Sequence, residues 1–153
     1  MLSTLSCTTN SVVLETGAEL YKCNPEKGRQ LVKIPGWGNA WQVINDCSVA
    51  KPIEVSIAVK IFYMHWLETF GDPVKRVQNN LDKIMILWGD KIRTTSGYSM
   101  DGSYRRDVRV IGITHTKSTV WVKKDNQTKI CNSSLTHELV HASIWAIKET
   151  DAD

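Results

Sequence analysis

Ser134-Leu135-Thr136-His137-Glu138-Leu139-Val140-His141 holds two histidines four places apart and a glutamate directly after the first. Asn132, Ser133 and Ser134 have side-chain oxygens of the kind that accept the orphan N–H groups at a helix start. From Leu135 to about Lys148 there is no Gly or Pro, so a helix is expected there. On a helix, residues four apart stand one above the other on the same face, which lets the imidazoles of His137 and His141 converge on one metal ion. Glu138 brings a carboxylate beside that ion without ligating it. Zinc-dependent hydrolysis needs this set: two neutral nitrogen ligands, an open position for water, and a base for the water's proton. A shuffled chain of this composition would show the pattern about 0.5% of the time, so chance is a weak rival. Leu135, Leu139, Val140, Ala142, Ile144, Trp145, Ala146 and Ile147 leave His137, Glu138 and His141 as polar exceptions on an apolar helix. Burying ionisable groups there is costly unless something compensates them, and a bound dication does so.

Upstream, Thr119 and Trp121 alternate with Val120 and Val122, so Ser118–Lys123 reads as a strand, followed by a turn at Lys124-Asp125-Asn126-Gln127. Val108, Val110 and Ile113 suggest another strand, and Thr94–Tyr104, rich in Ser, Gly and Tyr, reads as a loop. Val74, Val77, Leu81, Ile84 and Trp88 recur at three- and four-residue spacing, which predicts an amphipathic helix over 73–87. Asp72 would be its N-cap, Pro73 its first residue and Gly89 its end. Ile53, Val55, Ile57 and Val59 alternate with Glu54, Ser56, Ala58 and Lys60, the period of a half-buried strand. Residues 1–50, with Pro25, Pro35 and Gly36-Trp37-Gly38, are expected to form an N-terminal extension of loops and short strands, its Trp37 and Trp41 packing onto the catalytic core over 51–153.

At 153 residues, 42% hydrophobic and 23% charged, the chain has the size and composition of a single folded domain, which sets aside disordered and fibrous classes. No apolar run is long enough for a membrane span. A net charge of +3, with basic pairs such as Arg105–Arg106 and Lys123–Lys124 but no basic block, gives no expectation of nucleic-acid binding. Cys7, Cys23, Cys47 and Cys131 lack a Cys-x-x-Cys spacing, against a zinc ribbon, while their even number leaves two disulfides open. Met1–Cys7 lacks the basic region and length of a complete export signal. Leu5-Ser6-Cys7 has the form of a trimmed lipoprotein site with Cys7 acylated; the plainer alternative is an ordinary frayed terminus, and export of the chain is carried as an expectation.

With His137-Glu138-Leu139-Val140-His141 the chain resembles the zincin superfamily of zinc metallopeptidases. The resemblance implies an α+β fold in which a small mixed sheet packs on the active-site helix and a second amphipathic helix, all within a single domain over 1–153. It also implies Zn2+ on His137 and His141, Glu138 as general base, a peptide or protein substrate, and an upstream edge strand, here 118–123, that holds extended substrate. The third ligand distinguishes the branches of the superfamily. Ile144 and Ile147 stand where metzincins place Gly and His, and the chain is too short for a gluzincin glutamate. Aspzincin-like spacing points to Asp151 ahead of Asp153, without that branch's Gly-Thr turn. Ten residues of unbroken helix would carry Asp151 about 15 Å beyond His141, so the helix must end near Ile147–Glu149 and double back, or the ligand comes from upstream or from beyond the C-terminus. Tyr98, Tyr104, Arg105 and His115 are candidate donors to an oxyanion. The alternatives are a non-catalytic binding or structural protein on the same scaffold and a zinc hydrolase acting on a non-peptide bond.

Overall fold

The computed structural model describes residues 12–14, 28–46, 48–71, 77–90, 93–99, 101–124 and 133–152. All four cysteines, residues 72–76, the turn residues 125–127, Asn132 and Asp153 lie outside them. The fold is mixed α+β. Its centre is a five-stranded sheet in the order β2 (Arg29–Val32), β3 (Trp41–Asp46), β4 (Met85–Gly89), β8 (Thr119–Lys123), β7 (Gly112–Thr116). The strands β3, β4 and β8 run parallel, and β2 and β7 are antiparallel edges. A smaller antiparallel sheet joins β1 (Val12–Leu14), β5 (Arg93–Ser99) and β6 (Tyr104–Val110).

Two long helices cover one face of the large sheet. Val55, Ala58, Val59, Phe62 and Trp66 of α1 (Pro52–Phe70) and Leu135, Leu139 and Ala142 of α3 (Ser134–Ala152) are buried in one cluster with Val43, Ile86, Trp88, Val120 and Val122 of the strands. Alternation turns Leu87, Ile113 and Trp121 to the opposite face, where they form a second cluster with Ile44, Met85 and Val110. Inside the first cluster the hydroxyl of Thr136 donates to the Ala58 carbonyl at 2.9 Å, which fixes how far α3 slides along α1. Among the described residues no helix is long and apolar enough to cross a membrane.

Several expectations change. Ile53–Val59 is helix, because the buried positions continue at three- and four-residue spacing through Phe62 to Trp66. That stripe outweighs the local alternation, and Gly71, at φ 61°, ends the helix by donating its N–H to the Leu67 carbonyl. The helix expected over 73–87 shrinks, among the described residues, to α2 (Gln78–Leu81), followed by β4. The second long helix is therefore α1. Thr94–Tyr104, expected as a loop, is mostly the hairpin of β5 and β6. The sheet takes β2 and β3 from the region read as an extension, so residue 50 is not a structural boundary. Trp41 is buried and Trp37 packs on it, ring centroids 5.2 Å apart, with Trp37 Nε1 donating to Asp82. Finally, 119–123 is an interior strand, and the edge beside α3 is β7.

Candidate metal centre

The local sequence starts α3 where expected. Ser133 accepts the Thr136 N–H on its Oγ at 3.3 Å and the His137 N–H on its carbonyl at 3.1 Å, serving the first turn as a cap. Leu135, Leu139 and Ala142 then turn into the core, which sets His137 and His141 on the opposite, more open side. Their Nε2 atoms come to 2.9 Å, with ring centroids 4.5 Å apart and planes at 84°.

A contact between two ring nitrogens requires one to donate and the other to accept, so at least one imidazole is neutral in this arrangement. Burial, and then the neighbouring His141, lower His137 from 6.5 to about 4, and burial lowers His141 as well. Neutral imidazole is the form that ligates a metal. Two nitrogens on one tetrahedral zinc stand about 3.3 Å apart, so parting the rings by about 0.4 Å would admit the ion between them. The pair therefore fits a dication in protonation and in spacing.

Glu138 is 6% exposed and points to β7. The Thr114 hydroxyl donates to Glu138 Oε1 at 2.8 Å and also lies 3.2 Å from the Glu138 carbonyl oxygen. Beside it, Gly112 leaves the room the carboxylate occupies: a methyl group at residue 112 would come within 2.7 Å of Glu138 Oε2. Burial raises the carboxyl from 4.5 to about 7, against the opposing pull of the Thr114 hydrogen bond. A carboxyl poised near neutrality, on the same helical turn as two imidazoles, is of the kind that suits proton transfer. Thr114 and Gly112 escaped the sequence reading because they lie 24 and 26 residues before Glu138, and only sheet pairing brings them to it.

The other candidates lie elsewhere. The helix α3 continues without a break through Ala152, so the turn back that Asp151 requires is absent. At a rise of about 1.5 Å per residue its backbone stands some 15 Å along the axis from His141. Asp151 is thus removed from the ligand set, and Asp153 lies outside the described residues. Among the described residues no three His, Cys, Asp or Glu side chains are grouped to hold a metal ion. Tyr98 and Tyr104 pair with each other on the small sheet, centroids 5.2 Å apart, and Arg105 is exposed on the same hairpin. His115 sits where the register of β7 slips against β8, one residue past Thr114.

Farther along α3, Trp145 Nε1 donates to Glu149 Oε1 at 2.9 Å, and Glu149 Oε2 is 2.7 Å from Lys117 Nζ in the turn after β7. That turn is therefore tied to the far end of the helix. Comparison with protein-family models, curated proteins and solved structures returns no match to this chain.

Proposed function

We propose that the chain is a zinc-dependent peptidase of zincin-like fold whose centre is His137, Glu138 and His141. One observation carries the reading: two neutral imidazoles meet at 2.9 Å on one turn of α3, and the side chain between them in sequence is a buried carboxyl raised to about 7. A mixed sheet with an antiparallel edge strand, laid on the helix that bears the histidines, supports it. His137 and His141 would hold the ion. When bound, the ion supplies Lewis acidity to a peptide carbonyl and acidity to a water molecule.

The chain's own residues supply the proton handling. Glu138 accepts a proton from the attacking water and returns it to the leaving amine, a task that suits a carboxyl with an affinity near neutral pH. Thr114 holds Oε1 while this happens, and Gly112 leaves the room in which the carboxylate rests. Among the described residues β7 is an edge strand, and its outer backbone can receive an extended peptide beside the histidines.

Metal analysis of purified protein should give about one zinc per chain. Glu138→Gln should keep the metal and lose hydrolysis of a peptide library, whereas His137→Ala and His141→Ala should lose both. Zinc retained by the unmutated protein without any cleavage would favour the non-catalytic binding protein instead.

A further inference from the structure

We propose that Trp145 forms the wall of a subsite that takes a bulky apolar side chain, such as Phe or Leu, from an extended peptide paired along the outer edge of β7, beside α3. This deepens the peptidase reading and rests on it for the class of ligand. His137, His141, Trp145 and Glu149 follow one another at four-residue steps, so they form a single stripe along α3. The first two are the imidazole pair, and the indole follows four residues, about 6 Å, beyond His141.

Trp145 differs from the other tryptophans. Trp41, Trp66, Trp88 and Trp121 are at most 2% exposed, Trp37 is half-buried, and Trp145 is 40% exposed. Leaving a side chain of this size open to water forgoes burial that would stabilise the fold. Its orientation is nevertheless held, since Nε1 donates to Glu149, which Lys117 grips in turn. The polar edge of the ring has its partner on the same helix, and what remains on offer is its apolar face. A ring already ordered before binding gives contact area at little further entropic cost.

The edge strand shows how a ligand would reach it. Midway along β7, Thr114 touches Glu138; just past the end of the strand, Lys117 touches Glu149. The strand and the turn after it therefore run beside α3 from Glu138 to Glu149. A peptide paired along β7 advances about 3.3 Å per residue, which sets the side chain at Trp145 one or two residues from the bond held at the histidines.

The test uses zinc-loaded Glu138→Gln protein and fluorescein-labelled Gly/Ser peptides carrying one Phe, Leu or Ala at successive positions, with binding followed by anisotropy. At one position Phe and Leu should bind about tenfold tighter than Ala or better. Trp145→Ala should erase that preference, as should Trp145→Gln, which keeps an N–H near Glu149 but no aromatic face; Trp145→Phe should keep part of it. Zinc content and circular dichroism should be unchanged in all three. An undiminished preference in Trp145→Ala and Trp145→Gln, or no binding of any peptide, overturns the proposal. Failure of the peptidase reading shows elsewhere: the unmutated protein would cleave nothing while the Trp145-dependent preference persisted, and the subsite would then belong to a peptide-binding protein.

Discussion

Thr114 and Gly112 decide how Glu138 sits, and each acts by something small. Thr114 contributes one hydroxyl, at 2.8 Å from the carboxylate, in a place where the carboxyl is 6% exposed and has little access to water. Thr114→Val keeps the shape and removes the donor, so kcat/KM for peptide cleavage should fall by about tenfold to a hundredfold, mostly in kcat, while Thr114→Ser should stay near the parent. Losing a hydrogen bond to a buried group also costs stability, about 1–3 kcal/mol, measurable by urea unfolding. Gly112 contributes an absence. A methyl 2.7 Å from Oε2 forces either the strand or the carboxylate to move, so Gly112→Ala should lower kcat with zinc content unchanged. Equal activity in Gly112→Ala and the parent would show that the carboxylate need not rest where it does.

Among the elements, α1 supports the site at a distance. It packs beside α3 through Phe62, which is fully buried, and through the Ala58 carbonyl that receives Thr136. Phe62→Ala should cost about 3–5 kcal/mol and lower Tm by roughly 10 °C, read by thermal circular dichroism. The same helix shows why parts of the fold are hidden in the sequence. Residues 53–60 alternate apolar and polar, and only Phe62 and Trp66, farther on, restore the helical period. The strand at 85–89 is hidden for the opposite reason: β4 is covered on both faces, so Ile86, Leu87 and Trp88 form a continuous apolar run with no period to separate strand from helix. The hairpin of β5 and β6 escapes notice because its strands are polar and mostly exposed. His137, Glu138 and His141 are open to reading because their relation is local, fixed by four residues of one helix. Thr114, Gly112 and the Lys117–Glu149 tie depend on strand order, which no short window contains.

For the whole molecule, two buried groups pull stability in opposite directions as pH changes in the metal-free protein. Glu138 goes from 4.5 unfolded to about 7 folded, so between those values the native chain holds a proton the unfolded chain has released, and folding weakens as pH rises. His137 goes from 6.5 to about 4; there the unfolded chain holds the extra proton, and folding strengthens as pH rises. His141, also lowered, adds to the second effect. Between 4.5 and 6.5 the Glu138 slope offsets that of His137, and the contribution of His141 is left over, so folding still strengthens there as pH rises, less steeply than the histidines alone would make it. Glu138→Gln removes the first slope and exposes the second. Its metal-free stability, followed by urea unfolding at half-unit pH steps, should climb from pH 4 to 6.5 by up to about 1.4 kcal/mol per unit from His137, with His141 adding to the rise. A flat Glu138→Gln profile would show that the imidazoles are not held neutral by burial. At neutral pH, zinc at a hundred times its Kd should add about 2.7 kcal/mol to the stability of the parent and of Glu138→Gln, and nothing to His137→Ala.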